Sequence, residues 1–167
     1  LILTISLFMQ DTVLEPYGGE VFGLCISDTT RLNIPYGIGT LIGIGFTGFA
    51  IVPRLGKKNT TKLGCLGVAL CFLLIILSGF YGSVSLLFGA LFLFGLFSGT
   101  ITAGATSLML DFTAAETAGT FIGAWGLAQA MSRGLGTLFG GAILNLGKIL
   151  FDDAAVFAYS MVFATQA

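Results

Sequence analysis

From Leu63 to Leu110 the sequence carries no charged side chain, and its only interruption is the turn-like run Gly79-Phe80-Tyr81-Gly82-Ser83. A backbone in lipid must satisfy its own hydrogen bonds, so this stretch reads as two membrane helices joined by an uncharged turn. Ile34 to Val52 is a second uncharged stretch. Its 19 residues rise about 28 Å at 1.5 Å per residue, enough for the hydrocarbon core. The rest of the chain agrees. Of 167 residues, 56% are hydrophobic and 9% charged, where a soluble domain carries about 25% charged residues. The mean hydropathy is +1.01. The sequence therefore predicts an all-α polytopic membrane protein with segments at 1–14, 34–52, 63–78, 84–110, 117–146 and 154–167. The first and last read as incomplete helices cut from a longer chain. Leu1 opens inside an apolar run that lacks the basic start of a signal peptide.

Several function classes drop out. A net charge of -1 offers no footprint for a nucleic-acid partner. Histidine is absent, which removes the commonest metal ligand and the commonest base near neutral pH. Cys25, Cys65 and Cys71 are spaced neither as a zinc site nor as a redox pair. No metal site, tightly bound cofactor or enzymatic constellation is expected.

The charges that remain are clustered. Arg54, Lys57, Lys58 and Lys62 crowd the run that follows Val52, which places that turn in the cytoplasm by the positive-inside rule. The connection at 111–116 then falls on the same side, and those at 11–31 and 146–153 on the other. Gly39 and Gly43, and again Gly95 and Gly99, form GxxxG pairs, which suit close helix packing in lipid. The small and hydroxylated run Gly99 to Ser107 suits either tight helix contact or the edge of a polar cavity.

The longest polar interruption is Met9 to Gly23. It holds three of the eight carboxylates. On a continuing helix Asp11 and Glu15 share a face. Pro16, Gly18 and Gly19 then predict a sharp break. Thr29 or Thr30 is placed to cap the next helix. The two acids read either as a helix-end cap at the membrane surface or as a proton or gating site. In the fifth segment Gln129 and Arg133 stand four apart, with Trp125 before them on the same side and Gly136 and Gly140 continuing the face. A charge this deep in an apolar segment has to face protein or a water-filled cavity. Three readings stay open for Arg133: a fixed acid or carbonyl partner, a substrate or gating contact, or a shifted segment boundary that exposes it.

The run Met9-Gln10-Asp11, then Leu14-Glu15-Pro16-Tyr17-Gly18-Gly19-Glu20-Val21-Phe22-Gly23, resembles the PucC family, also called the bacteriochlorophyll delivery family, of the major facilitator superfamily. Thr29, Thr30 and Arg31 extend the likeness. The basic turn also resembles the superfamily motif between paired helices, with Arg54, Gly56, Lys57 and Lys58 in place. Pro53 stands where that motif has its acid, and Phe49 where it has its leading glycine. The resemblance implies the C-terminal six-helix half of a major facilitator protein, partnered by a missing N-terminal six-helix half. It implies a transporter-like factor that handles chlorophyll or bacteriochlorophyll as cargo and assists assembly of light-harvesting or photosystem complexes. Such a protein sits in a photosynthetic membrane, thylakoid or intracytoplasmic, or in the plasma membrane. Its partners are the pigment-protein subunits and membrane lipid. On this reading Trp125, Gln129 and Arg133 contact cavity or pigment. Two alternatives accompany it: a non-transporting assembly scaffold, and a proton-coupled small-solute transporter.

Overall fold

The computed structural model describes residues 2–111, 118–150 and 155–166, with the side chains at positions 2, 3, 11, 26, 27 and 150 excepted. Connections 112–117 and 151–154, which include Glu116, Asp152 and Asp153, lie outside the described residues. Short connections apart, the described chain is helical: α1 (Ile2–Phe22), α2 (Ile26–Arg31), α3 (Asn33–Phe46), a π-helical turn (Thr47–Ile51), α4 (Val52–Leu55), α5 (Lys57–Tyr81), α6 (Val84–Asp111), α7 (Ala118–Leu150) and α8 (Ala155–Gln166). Three helical spans, Asp28–Leu55, Lys57–Tyr81 and Val84–Asp111, are long and apolar enough to cross a membrane. The protein is an all-α integral membrane protein.

Lipid is as apolar as leucine, so helices in a membrane associate through close packing and hydrogen bonds rather than through the hydrophobic effect. Glycine provides that packing here. A Cβ on Gly39 or Gly43 would strike the backbone of Phe92 or Leu96, and one on Gly95 or Gly99 would strike the backbone of Tyr36, Thr40 or Ile44. The two GxxxG faces therefore lie on each other, with α3 and α6 running parallel. Gly136 and Gly140 of α7 meet the backbone of α1 at Ile5, Phe8 and Met9, again in parallel. α8 runs antiparallel to α1: the Ser6 hydroxyl donates to the Gln166 carbonyl at 2.8 Å, while Tyr17 packs on Tyr159 and Phe163. Gly37, Gly45 and Gly48 have no neighbour within 4 Å of a Cβ position, so the crowding of glycine in α3 serves contact at only some of its positions.

An aromatic spine fills the centre. Tyr36, Phe94, Phe72, Phe163 and Tyr17 follow one another at ring-centre distances of 5.5, 5.1, 6.1 and 5.1 Å, so it joins α3, α6, α5, α8 and α1. The Tyr17 hydroxyl ends it with a hydrogen bond to the Ile75 carbonyl at 2.8 Å. Gln10 is also fully buried, and neither atom of its side-chain amide has a hydrogen-bond partner among the described residues.

The chain corrects three local expectations. No break occurs at Pro16, which lies inside α1. Proline removes the hydrogen bond to the Thr12 carbonyl, but Val13, Leu14 and Tyr17 around it are about 1% exposed, and their packing holds the helix. It ends instead at Gly23, whose φ of 64° lets its N–H reach the Gly19 carbonyl at 3.1 Å. Thr29 and Thr30 lie within α2, and α3 begins after Leu32 with no side-chain cap. The basic turn is a single residue, Gly56, at φ 76°; Arg54 belongs to α4 and Lys57 and Lys58 to α5. The π-helical turn ends two residues before Pro53, whose ring and missing N–H disturb the α-helical register. Thr47 in that turn is buried and donates to Thr100 at 2.9 Å, and Thr100 donates to the Leu96 carbonyl at 2.9 Å.

Candidate functional site

Three helices each present a line of residues four apart to one recess. Thr4 and Phe8 come from α1, Ser98, Thr102 and Thr106 from α6, and Trp125 and Gln129 from α7. Leu7, Ile101 and Ala105 supply apolar wall, and Tyr36 of α3 also contributes. The cavity holds about 220 Å³. Its position follows from the glycine seams. Gly99 faces α3 and Gly104 faces Thr61 of α5, which turns the Ser98-Thr102-Thr106 line of the same helix toward α1 and α7. The Gly99–Ser107 run thus does both things its composition allowed, tight contact on one face and a polar edge on another. The Thr102 hydroxyl donates to the Ser98 carbonyl at 2.9 Å, so it turns acceptor lone pairs outward. The cavity is mixed in character: hydroxyls come from α6, an indole and an amide from α7, and further aromatic rings from Phe8 and Tyr36.

A neighbouring recess shares Phe8 and Gln129 with the cavity and adds Ala130, Arg133 and Gly134. Arg133 is exposed, with its guanidinium 4.4 Å from the centre of the Phe8 ring. That places it in cation–π contact. The structure therefore brings Trp125, Gln129 and Arg133 along one face of α7 and sets Phe8 against them. Phe8 and Ser98 escaped the sequence reading, which offered a polar cavity edge only for the run that holds Thr102 and Thr106. The spacing of four from Ser98 to Thr106 is a signal in itself, but it acquires meaning only once α6 is known to face α7.

Glu15 does not join this cavity. It is exposed and accepts a hydrogen bond from the Asn33 side-chain amide at 3.1 Å, which ties α1 to the start of α3. Asp11 lies on the same helix, and its side chain is outside the described residues. At the same end Lys148 of α7 pairs with Glu20 of α1 at 2.8 Å.

At the opposite end, Lys57 forms an ion pair with Asp111 at the end of α6. Here the acidic contact of the basic turn comes from a distant helix, Pro53 occupying the local position. Arg54 and Lys58 are exposed.

Comparison with known proteins matches the whole chain, residues 1–167, to the family described as PUCC protein. Among similar relatives, the bacteriochlorophyll synthase 44.5 kDa chain of Rhodobacter capsulatus is 32% identical over 96% of this chain and 38% of its own length. Protein PucC of the same organism is 30% identical over 98% of this chain and 36% of its own. Protein PucC of Cereibacter sphaeroides is 25% identical over 98% and 36%. The chain thus spans less than two-fifths of the length of these relatives. No solved structure matches it.

Proposed function

This chain belongs to the PucC family, and on that premise we propose that the full-length protein is a transporter-like membrane factor that handles chlorophyll or bacteriochlorophyll during assembly of light-harvesting or photosystem complexes. The observation that carries the reading is the α7 face on which Trp125 and Gln129 line the cavity and Arg133 continues beside it. An indole stacks on a flat conjugated ring. Gln129 and the α6 hydroxyls suit the carbonyl groups at its rim, and Arg133 suits a carboxyl or ester oxygen. The cavity of about 220 Å³ is below the usual range of small-molecule sites, about 300–1,000 Å³. The chain therefore contributes one wall that grips an edge of the pigment, and a further part of the protein completes the site.

That further part is the partner half of a major facilitator architecture. Helices 1, 5 and 7 run one way and 3, 6 and 8 the other, which is the order a six-helix half requires. The pigment is cargo rather than a resident cofactor, and the protein carries out no reaction of its own. Its membrane is photosynthetic, or the plasma membrane where the two are continuous, and its partners are pigment-protein subunits. A scaffold reading has its own support: Phe121, Ile122, Leu127 and Leu138 leave much of α7 apolar and exposed, a surface that suits either lipid or a membrane subunit.

Gently purified full-length protein, with pigment measured by absorbance and bound subunits by mass spectrometry, tests this. Copurified pigment that is lost in Trp125→Ala and Gln129→Leu at matched yield is the expected result. Subunit complexes that persist with no pigment, and are unaffected by either substitution, would overturn it in favour of the scaffold.

A further inference from the structure

A third recess lies away from the cavity. It is a groove of about 500 Å³ between α5 and α6, lined by Lys58, Thr61, Lys62, Cys65, Leu66 and Leu108. Positions 58, 62 and 66 are successive steps of four, so they form one line along α5. That line passes from two ammonium groups to leucine over about 12 Å of helix rise. Leu108 of α6 forms the facing wall, and Leu66 is 69% exposed.

Charge decides what the groove suits. Lys57 is committed to Asp111 at the end of α6. Lys58 and Lys62 are exposed, and neither forms an ion pair with a described residue. Both stand at the end of a membrane-crossing helix, Lys57–Tyr81, and so at headgroup depth. Cys65 and Leu66 lie deeper, where acyl chains run. Two cations above an apolar trough complement a phosphodiester that carries a hydrocarbon tail, and basic recesses between membrane helices bind anionic headgroups in this way. We infer that Lys58 and Lys62 hold the phosphate of an anionic phospholipid, whose first acyl methylenes lie against Leu108, Cys65 and Leu66.

The test is a lipid titration of full-length protein by native mass spectrometry, with phosphatidylglycerol and phosphatidylcholine as probes and glycerol phosphate as the chainless headgroup. Phosphatidylglycerol should bind the wild type in preference to phosphatidylcholine. The double variant Lys58→Gln/Lys62→Gln should lose roughly 30-fold in that affinity, about fivefold for each basic residue at the surface. Leu108→Trp, which fills the groove and keeps both lysines, should weaken it as well. Leu66→Trp closes the same groove from the exposed wall if Leu108→Trp does not give monodisperse protein. Arg54→Gln, which removes an equal charge outside the groove, should change affinity by less than twofold. Equal binding of the two lipids, undiminished binding by the double lysine variant, or displacement by glycerol phosphate at matched concentration would overturn the proposal; the last would mean an anion site with no role for the groove.

Discussion

The guanidinium of Arg133 lies 4.4 Å from the centre of the Phe8 ring, so the one cation in the middle of α7 rests on an aromatic face of α1. The contact is exposed, and at exposed sites cation–π contacts contribute about 0.5–1 kcal/mol. Arg133→Leu should therefore leave folded abundance nearly unchanged while pigment-protein accumulation falls about tenfold. Arg133→Lys, which keeps the charge but not the planar fork, should recover part of it. Fluorescence-detected size exclusion and absorbance of the assembled complexes measure the two quantities. A loss of folded protein equal to the loss of assembly would make Arg133 a structural residue.

The α3–α6 seam predicts a position-specific response. Gly43→Ala places a methyl against the Leu96 backbone, whereas Gly45→Ala, two residues away, meets nothing within 4 Å. Overpacking of this kind costs about 1–3 kcal/mol. Thermal melts in detergent should show a lowered midpoint for Gly43→Ala and none for Gly45→Ala. Equal midpoints would mean that the helices are not in backbone contact.

Gln10→Leu should stabilise the protein. Both atoms of its buried amide lack partners, and an unsatisfied buried polar group costs about 1–3 kcal/mol. A higher melting midpoint in the variant is the expected outcome. A lower one would show that the amide is satisfied in the membrane by a group that the isolated chain does not provide.

Orientation can be read with cysteines. Cys25 is exposed at the Glu20 end of the bundle, while Cys65 is half-buried and Cys71 buried. In sealed cells an impermeant maleimide should label native Cys25 from outside the cytoplasm. Asn59→Cys in a Cys25→Ser background should label only after the membrane is opened. The reverse pattern would invert the topology.

The helical membrane class was legible because uncharged stretches of this length leave the backbone few alternatives. The course of the chain near its prolines was not. Pro16 removes one hydrogen bond, and whether that ends a helix depends on what packs around it; Val13, Leu14 and Tyr17 are buried, Tyr17 by α5 and α8, which no local window contains. The site divides in the same way. A spacing of four puts Trp125, Gln129 and Arg133 on one helix face, since that follows from helix geometry alone. Their opposite wall depends on pairings across more than a hundred residues, such as Gly136 against Phe8. Glu15 shows the converse: an acid conspicuous in the sequence is engaged by Asn33, a residue that draws no attention on its own.

Where α3 and α6 touch through their backbones, no layer of side chains lies between them to slide. Seams filled by rings and aliphatic chains, such as α1 against α8, can change rotamers and shear; a seam of Gly39, Gly43, Gly95 and Gly99 has no rotamers to change. The Thr47–Thr100 hydrogen bond adds a second tie between the π-helical turn and α6. The α1–α7 seam has the same character, with Gly136 and Gly140 set against α1. The cavity is lined from both of these glycine-clasped pairs, α3–α6 and α1–α7.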